Sequence, residues 1–270
     1  MTHNPKHDPN GRSVRLGRRG FLRGAGLVAA TAPLAGCFDG LGDRDGTIRN
    51  VMETANSLTY RVQRMLLGMD DLAREYSESE IRQPQRPNGS TDPRDPDYLA
   101  LVASNFSPYR LEVKGAVGKP LSLSLGELRA MPARTQITRH DCVEGWSCIA
   151  KWTGVPLSHV LDEAGTRADA RFVVFECFDT LGGGAGAAKY YESIDMRDAR
   201  HPQTILAYGL NDQGLPVSNG APLRVRIERQ LGYKMAKYIR SITVTDDLSG
   251  FGGGAGGYWE DRGYEWFAGI

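Results

Sequence analysis

The sequence predicts an α+β domain built on mixed sheets, and three observations carry that expectation. Runs rich in β-branched and aromatic residues recur at Tyr109–Gly115 (YRLEVKG), Arg171–Phe178 (RFVVFECF), Thr204–Leu210 (TILAYGL), Leu223–Glu228 (LRVRIE) and Tyr238–Thr245 (YIRSITVT). Only short helical patterns fall between them. Strands and helices do not alternate regularly and no internal repeat is present, which argues against an all-parallel sheet or a solenoid.

The chain opens on an address. GRRGFLRGAGLVAATAPLAGC holds Arg18-Arg19, then Phe21-Leu22, then a modest apolar run ending at Leu34-Ala35-Gly36-Cys37. That run is too short, and too rich in Ala and Gly, to span a bilayer, which needs about 20 apolar residues. The stretch resembles a twin-arginine export signal, and its end resembles a bacterial lipobox with Cys37 as the lipidated mature N-terminus. Cleavage nearby without a lipid stays open. Residues 1–37 are therefore expected to be a leader that sends the protein to the periplasm, with a lipid anchor at Cys37 in the lipobox reading. One acyl chain would anchor only marginally, several would hold the protein on a membrane. The twin-arginine route moves folded proteins, so it suits a chain that takes up a cofactor before export.

Residues 38–97 are expected to be a helical extension and linker. Ile48, Val51, Met52, Ala55, Leu58, Val62, Met65, Leu66, Met69 and Leu72 recur at three and four, which predicts an amphipathic helix from Thr47 to about Ile81, docked on the main domain, with Gly68 a candidate break. QPQRPNGSTDPRDPD, from Gln83 to Asp97, predicts an irregular linker. The main domain is placed at residues 98–250. Within it Ser124 and Glu127 form a capping-box pattern opening SLGELRAM, and PLSHVLDEAG predicts a helix starting at Pro156 and stopping at Gly165. The tail, residues 251–270, combines glycines with Tyr258, Trp259, Tyr264, Trp266 and Phe267, and is expected to pack on the domain or meet a partner.

A formal net charge of +1 gives no global basic field, so nucleic acid is not an expected partner. Of the four cysteines, Cys142, Cys148 and Cys177 follow the leader, too few for a disulfide-stapled scaffold. Two of them sit in ITRHDCVEGWSC. The residues alone leave a Cys142–Cys148 disulfide, a metal ligand and a Cys–His nucleophile with His140 open, while zinc lacks CxxC spacing. LGGGAGAAKYYESID, Leu181 to Asp195, is Gly-rich but not a phosphate loop; it predicts backbone near a substrate mouth, with Tyr190 or Tyr191 as a phenol there.

RHDCVEGWSCIAKWTGVPLSHVL, FVVFECFDT and TILAYGLNDQGLPVSNGAPLRVRIERQLGYKMAKYIRSI together resemble, in order, the molybdopterin-binding domain of the sulfite oxidase family. The resemblance covers about Asn105 to Thr245, and the compact periplasmic protein-methionine-sulfoxide reductase type is more similar than sulfite oxidase itself. It implies a sulfite-oxidase-like molybdopterin-binding fold, and a monomeric domain without the Ig-like dimerisation module. It implies Cys142 as the thiolate on molybdenum; a soft sulfur ligand suits a sulfur-rich centre. It also implies pterin or phosphate contacts from Asn219, Arg224, Met235, Ala236 and Lys237, and from Asn105 in a weaker register. The alternative for Arg224 is a solvent-facing strand residue sharing a face with Arg226. Cys177 stands where the reductase has Thr, a poorer donor at a cofactor position.

Arg139 and His140 could guide an anionic substrate or hold the fold, and Glu144 could accept a proton or form a salt bridge. The expected activity is oxygen-atom transfer to or from a small sulfur or nitrogen compound, by a molybdenum-molybdopterin cofactor. Without CxxCH the chain carries no covalent haem, so the resemblance implies a separate membrane haem-b subunit or cytochrome c as electron partner. A non-catalytic surface lipoprotein, using the fold as a binding module, is the alternative.

Overall fold

A computed structural model describes residues 47–66, 68 and 71–270. The leader pattern, Cys37 and Met69 lie outside the described residues. The chain divides into two units, residues 1–58 and 59–270. The described part of the first is the opening of helix α1 (Thr47–Leu66), where Val51 and Leu58 are exposed. No described helix is long and apolar enough to cross a membrane.

Helix α1 ends at Leu66, well short of Ile81. The chain beyond it gives its backbone groups to other partners: Ala73 N–H donates to Gln203, and Tyr76 N–H donates to Ile137 O at 2.9 Å. Within the larger unit the end of α1 docks through its polar side. Tyr60 and Arg64, one turn apart, reach Asp195 at 3.1 and 2.8 Å, and Arg64 also reaches Asp198 at 2.6 Å. Val62 and Met65 remain exposed, which reverses the orientation that the apolar periodicity predicts.

The larger unit is built on two sheets. The first has the order β2 (Leu121–Ser124), β1 (Arg110–Gly115), β10 (Ile239–Thr245), β5 (Phe172–Leu181), β6 (Ala188–Asp195). β1 runs parallel to β10 and the other pairs are antiparallel, so the sheet is mixed. Its inward residues, among them Leu111, Val113, Val173, Phe175, Ile242 and Val244, are fully buried and form the main core. The second sheet has the order β3 (Arg134–Cys142), β4 (Trp146–Pro156), β7 (Ile205–Leu210), β8 (Gln213–Gly214), with β9 (Arg224–Arg226) added on β7. A smaller cluster of Trp152, Ile205, Ala207 and Leu210 packs on it.

Short helices complete the α+β architecture: α2 (Pro96–Ala103), α3 (Leu125–Ala130), α4 (Leu157–Glu163) and α5 (Met196–Ala199). Asp95 caps α2 and Ser124 caps α3, where Ser124 and Glu127 satisfy each other's backbone N–H groups. The stretch from Gln83 is irregular up to Pro96, yet it is packed: Gln85 is buried and Ser90 O accepts from Lys237. The tail folds back on the body. Tyr258 N–H donates to Tyr191 O at 3.0 Å, Trp266 Nε1 to Ser193 Oγ at 2.8 Å, and Leu231 N–H to Ala268 O at 2.9 Å. A buried Lys234 ammonium, held between Glu192 and Glu260, joins tail to body.

Candidate cofactor and active site

The centre of the site is the turn between β3 and β4. Cys142 pairs with Trp146 across a three-residue connection, Val143–Gly145, and Gly145 adopts a φ of 81° while its N–H donates to Cys142 O at 3.0 Å. Only glycine takes that left-handed position without strain, which explains CVEGW as a hairpin signal. The turn sets the Cys142 sulfur beside a cavity of about 240 Å³, which is also lined by Asn88, Ser90, Asp179, Met235 and Lys237. Burial raises the thiol pKa, opposed by the backbone N–H of Glu144. Among the described residues Cys142, Cys148 and Cys177 are all free thiols, so neither Cys148 nor Cys177 caps Cys142.

Behind the turn lies a buried group of cations. Strand alternation puts His140 on the same side of β3 as Cys142, and β9 turns both Arg224 and Arg226 inward. Both guanidiniums sit over the Trp152 ring, with 4.9 and 4.5 Å to its centroid. Arg226 is fully matched: Glu228 takes its Nε and Nη2 at 3.0 and 2.7 Å, and His140 Nδ1 lies 2.8 Å from Nη1. Burial, then Arg226 and Arg224, hold His140 well below its ordinary pKa, so the neutral ring accepts at Nδ1 and carries its proton on Nε2. Gly232 has to be glycine here, because a Cβ would stand 2.5 Å from that imidazole.

Arg224 is not matched. Its Nη1 donates to Asn219 O at 2.9 Å, but among the described residues Nε and Nη2 have no partner, nor do the buried Asn219 Nδ2 and His140 Nε2. Burial, reinforced by Arg226, lowers the Arg224 pKa to about 9. Lys237 donates to Ser90 O and to Ser218 O at 3.1 Å, and burial followed by Arg224 lowers its pKa to about 7. Buried donors without acceptors, as on Arg224 and Asn219, are costly in a folded protein. An anion rich in acceptor oxygens removes that cost. These residues therefore fit the phosphate of a pterin cofactor, and the Cys142 sulfur fits a soft metal.

A pH dependence follows for the cofactor-free protein. Lys237 has a folded pKa of about 7 against 10.5 ordinarily, so between those values the unfolded chain binds the extra proton. Stability is expected to rise with pH across that window, by at most about 1.4 kcal/mol per pH unit, with the penalty fully present below it. Inorganic phosphate bound at the cluster raises the folded pKa and flattens the slope. Thermal melts of the cofactor-free protein with and without phosphate, beside Lys237→Met, check this; an identical slope in Lys237→Met assigns the effect elsewhere.

Of the expected residues, Cys142, Glu144, Met235 and Lys237 line the cavity, His140, Asn219, Arg224 and Ala236 are buried without lining it, and three others lie apart. Asn105 is exposed at the end of α2 with a φ of 50°; it stops the helix and does not line the cavity. Asn88, hidden in the expected linker, lines it instead. Arg139 is on the opposite side of β3 from Cys142, half exposed, and pairs with Asp141 at 2.9 Å. Cys177 is buried in the main core and lines a different cavity; burial raises its thiol pKa far above the ordinary value. Glu144 is exposed at the rim and accepts from Trp146 Nε1 at 2.9 Å. Tyr190 lines the Cys142 cavity, and Tyr191 lines only the other one. Asp179 also lines the site, with its pKa raised to about 6 by burial.

A mixed two-sheet domain with a cavity-lining thiol and an unmatched cationic nest defines a cofactor-dependent redox domain. The family profile for the oxidoreductase molybdopterin-binding domain matches residues 99–250, and the chain belongs to that family as a molybdopterin-dependent oxidoreductase. A protein named as a protein-methionine-sulfoxide reductase subunit, YedZ1, of Azospira oryzae is 38% identical over 93% of this chain and 87% of its own length. The protein-methionine-sulfoxide reductase catalytic subunit MsrP of Xanthomonas campestris is 37% identical over 58% of this chain and 51% of that protein. The sulfane dehydrogenase SoxCD of Paracoccus pantotrophus aligns at a TM-score of 0.45 and 24% identity, over 52% of this chain and 39% of that one.

Proposed function

We propose that this chain is an exported sulfoxide reductase that removes the oxygen of a methylsulfinyl group, with residues 98–250 as its cofactor domain. The observation that carries the reading is the Cys142 thiol and the Lys237 ammonium lining one cavity, with Lys237 donating to Ser218 O and the neighbouring Asn219 O accepting from the incompletely matched Arg224. Cys142 would ligate molybdenum. Arg224, Asn219 and Lys237, with the Met235–Ala236 backbone, would hold the pterin and its phosphate. When bound, that group supplies two-electron oxygen-atom transfer. The net reaction takes one sulfoxide, two electrons and two protons to one sulfide and one water. Glu144, exposed and lining the cavity two residues from Cys142, would pass protons from solvent through its carboxylate.

The electrons come from a separate haem partner, a membrane haem-b subunit or a cytochrome c. The relatives named as reductase subunits support this division. The Arg18-Arg19 leader supports periplasmic delivery of the loaded protein, and Cys37 supports a lipid anchor.

The test is to express the full chain with its own leader, measure molybdenum and pterin, and follow sulfoxide-dependent oxidation of a reduced viologen. Near-stoichiometric metal and sulfoxide turnover are expected. Protein that is exported and folded but holds neither metal nor pterin returns the chain to a binding module.

A further inference from the structure

The tail contributes something that the proposed chemistry does not use. Trp259 and Tyr264 line the Cys142 cavity together with Tyr233 and Tyr190, whereas Cys142, Val143 and Glu144 enter from the hairpin. The Trp259 and Tyr264 rings stack at 5.2 Å, and Tyr264 meets Tyr233 edge-on at 5.3 Å. Tyr258 backs Trp259 edge-on at 5.3 Å. Tyr264 is 39% exposed, which puts its ring where an incoming molecule arrives.

The wall is fixed from behind. Tyr264 N–H donates to Trp259 O at 3.0 Å, and Tyr233 OH donates to Glu265 O at 2.6 Å. Glu260, next to Trp259, reaches Lys234, next to Tyr233, at 2.6 Å. Rings held this way lose little entropy when a ligand settles on them.

Aromatic faces carry negative potential, so they repel anions and attract polarised C–H and sulfur groups. The charged lining residues point the same way. Glu144 and Asp179 are acids, and the one cation among the described lining residues, Lys237, is the one the proposed reading commits to the cofactor's phosphate. Arg139 lies on the far side of β3. A neutral sulfoxide, with its positively polarised S–CH₃, suits this cavity; a sulfite-like anion does not.

We propose that Trp259 and Tyr264, with Tyr233 beside them, form the wall that selects neutral methylsulfinyl side chains over anionic ones. The inference rests on the sulfoxide reading of the same site. Its test uses two dead-end probes on the molybdenum-loaded enzyme: a blocked tripeptide carrying methionine sulfone, and the same tripeptide carrying homocysteate. They differ in a terminal methyl against a charged oxygen. Calorimetry is expected to show the neutral probe binding tighter by about tenfold or more.

Trp259→Ala and Tyr264→Ala are each expected to cut that preference to about threefold or less, and Trp259→Phe and Tyr264→Phe to keep it. In turnover, the alanine variants are expected to raise KM for a methionine-sulfoxide peptide while kcat stays within about twofold. Metal content and melting temperature confirm that each variant is folded and loaded. Equal binding of the two probes by the wild type, or a preference unmoved in Trp259→Ala, overturns the wall. Loaded wild type that keeps the preference but reduces no sulfoxide overturns the reaction and leaves the wall standing.

Discussion

Cys142→Ser is expected to lower turnover by about a thousandfold or more, the equivalent of about 4 kcal/mol in the barrier. A serine oxygen is a harder and less polarisable ligand than thiolate, so the charge-transfer absorption of the Cys142 sulfur is expected to be lost with the activity. The fold has little stake in the sulfur. Cys142 sits at the end of a strand beside a cavity, and its hairpin is held by Gly145 and by the β3–β4 register down to Arg134. A stability change within about 1 kcal/mol is expected, a few degrees in Tm. Optical spectra, turnover and melting on one preparation separate the two roles. Turnover that survives in Cys142→Ser removes that residue from the metal.

Arg224→Met is expected to move the two forms of the protein in opposite directions. Without cofactor, Arg224 is a buried cation with two unpartnered nitrogens, sharing one indole with Arg226. Replacing such a charge by an apolar side chain of similar length stabilises by about 1–4 kcal/mol in comparable buried settings. With cofactor, the same change removes charge-assisted hydrogen bonds to an anion, each about 1.5–3 kcal/mol, and retention falls by about tenfold or more. The apoprotein should therefore melt at the same temperature or higher while the purified protein holds less molybdenum and pterin. Full retention, or equal loss of stability in both forms, places the cofactor away from Arg224.

The elements that the sequence announces are those whose inner face is apolar. β1, β5, β7 and β10 are of this kind, and their predicted and observed ranges agree to within a residue or two at the ends, except at the C-terminal end of β5. β3 escaped because its inward positions are Gln136, Thr138 and His140. That polar inner face belongs to the buried hydrogen-bond network around Arg226 and Glu228, and it erases the hydrophobic alternation. β9 was seen, but its arginines turn inward, the reverse of what a strand with alternating Arg suggests when read against water.

The cavity lining was legible where a motif holds its members close in the chain, as at Cys142 and at Met235 and Lys237. It was not legible where the fold brings distant pieces to the rim. Asn88 and Ser90 sit in a Pro- and Asp-rich stretch that reads as linker, and Trp259 and Tyr264 in a tail that reads as packing. Composition reports that such segments lack regular structure, not where their ends are tied.

The contact between Lys234 and Glu260 is one such tie. Burial drives the neighbouring Glu192 well above the ordinary carboxylate range, offset by Lys234, and the ammonium held between two buried carboxylates acts as a latch. The latch sits one residue from Tyr233 on one side and one residue from Trp259 on the other. Shortening or rerouting the tail backbone would therefore disturb the loop carrying Met235 and Lys237 at the same stroke. An engineer who wishes to reshape the cavity is left with exchanging individual rings, since the frame that carries them also carries Met235 and Lys237.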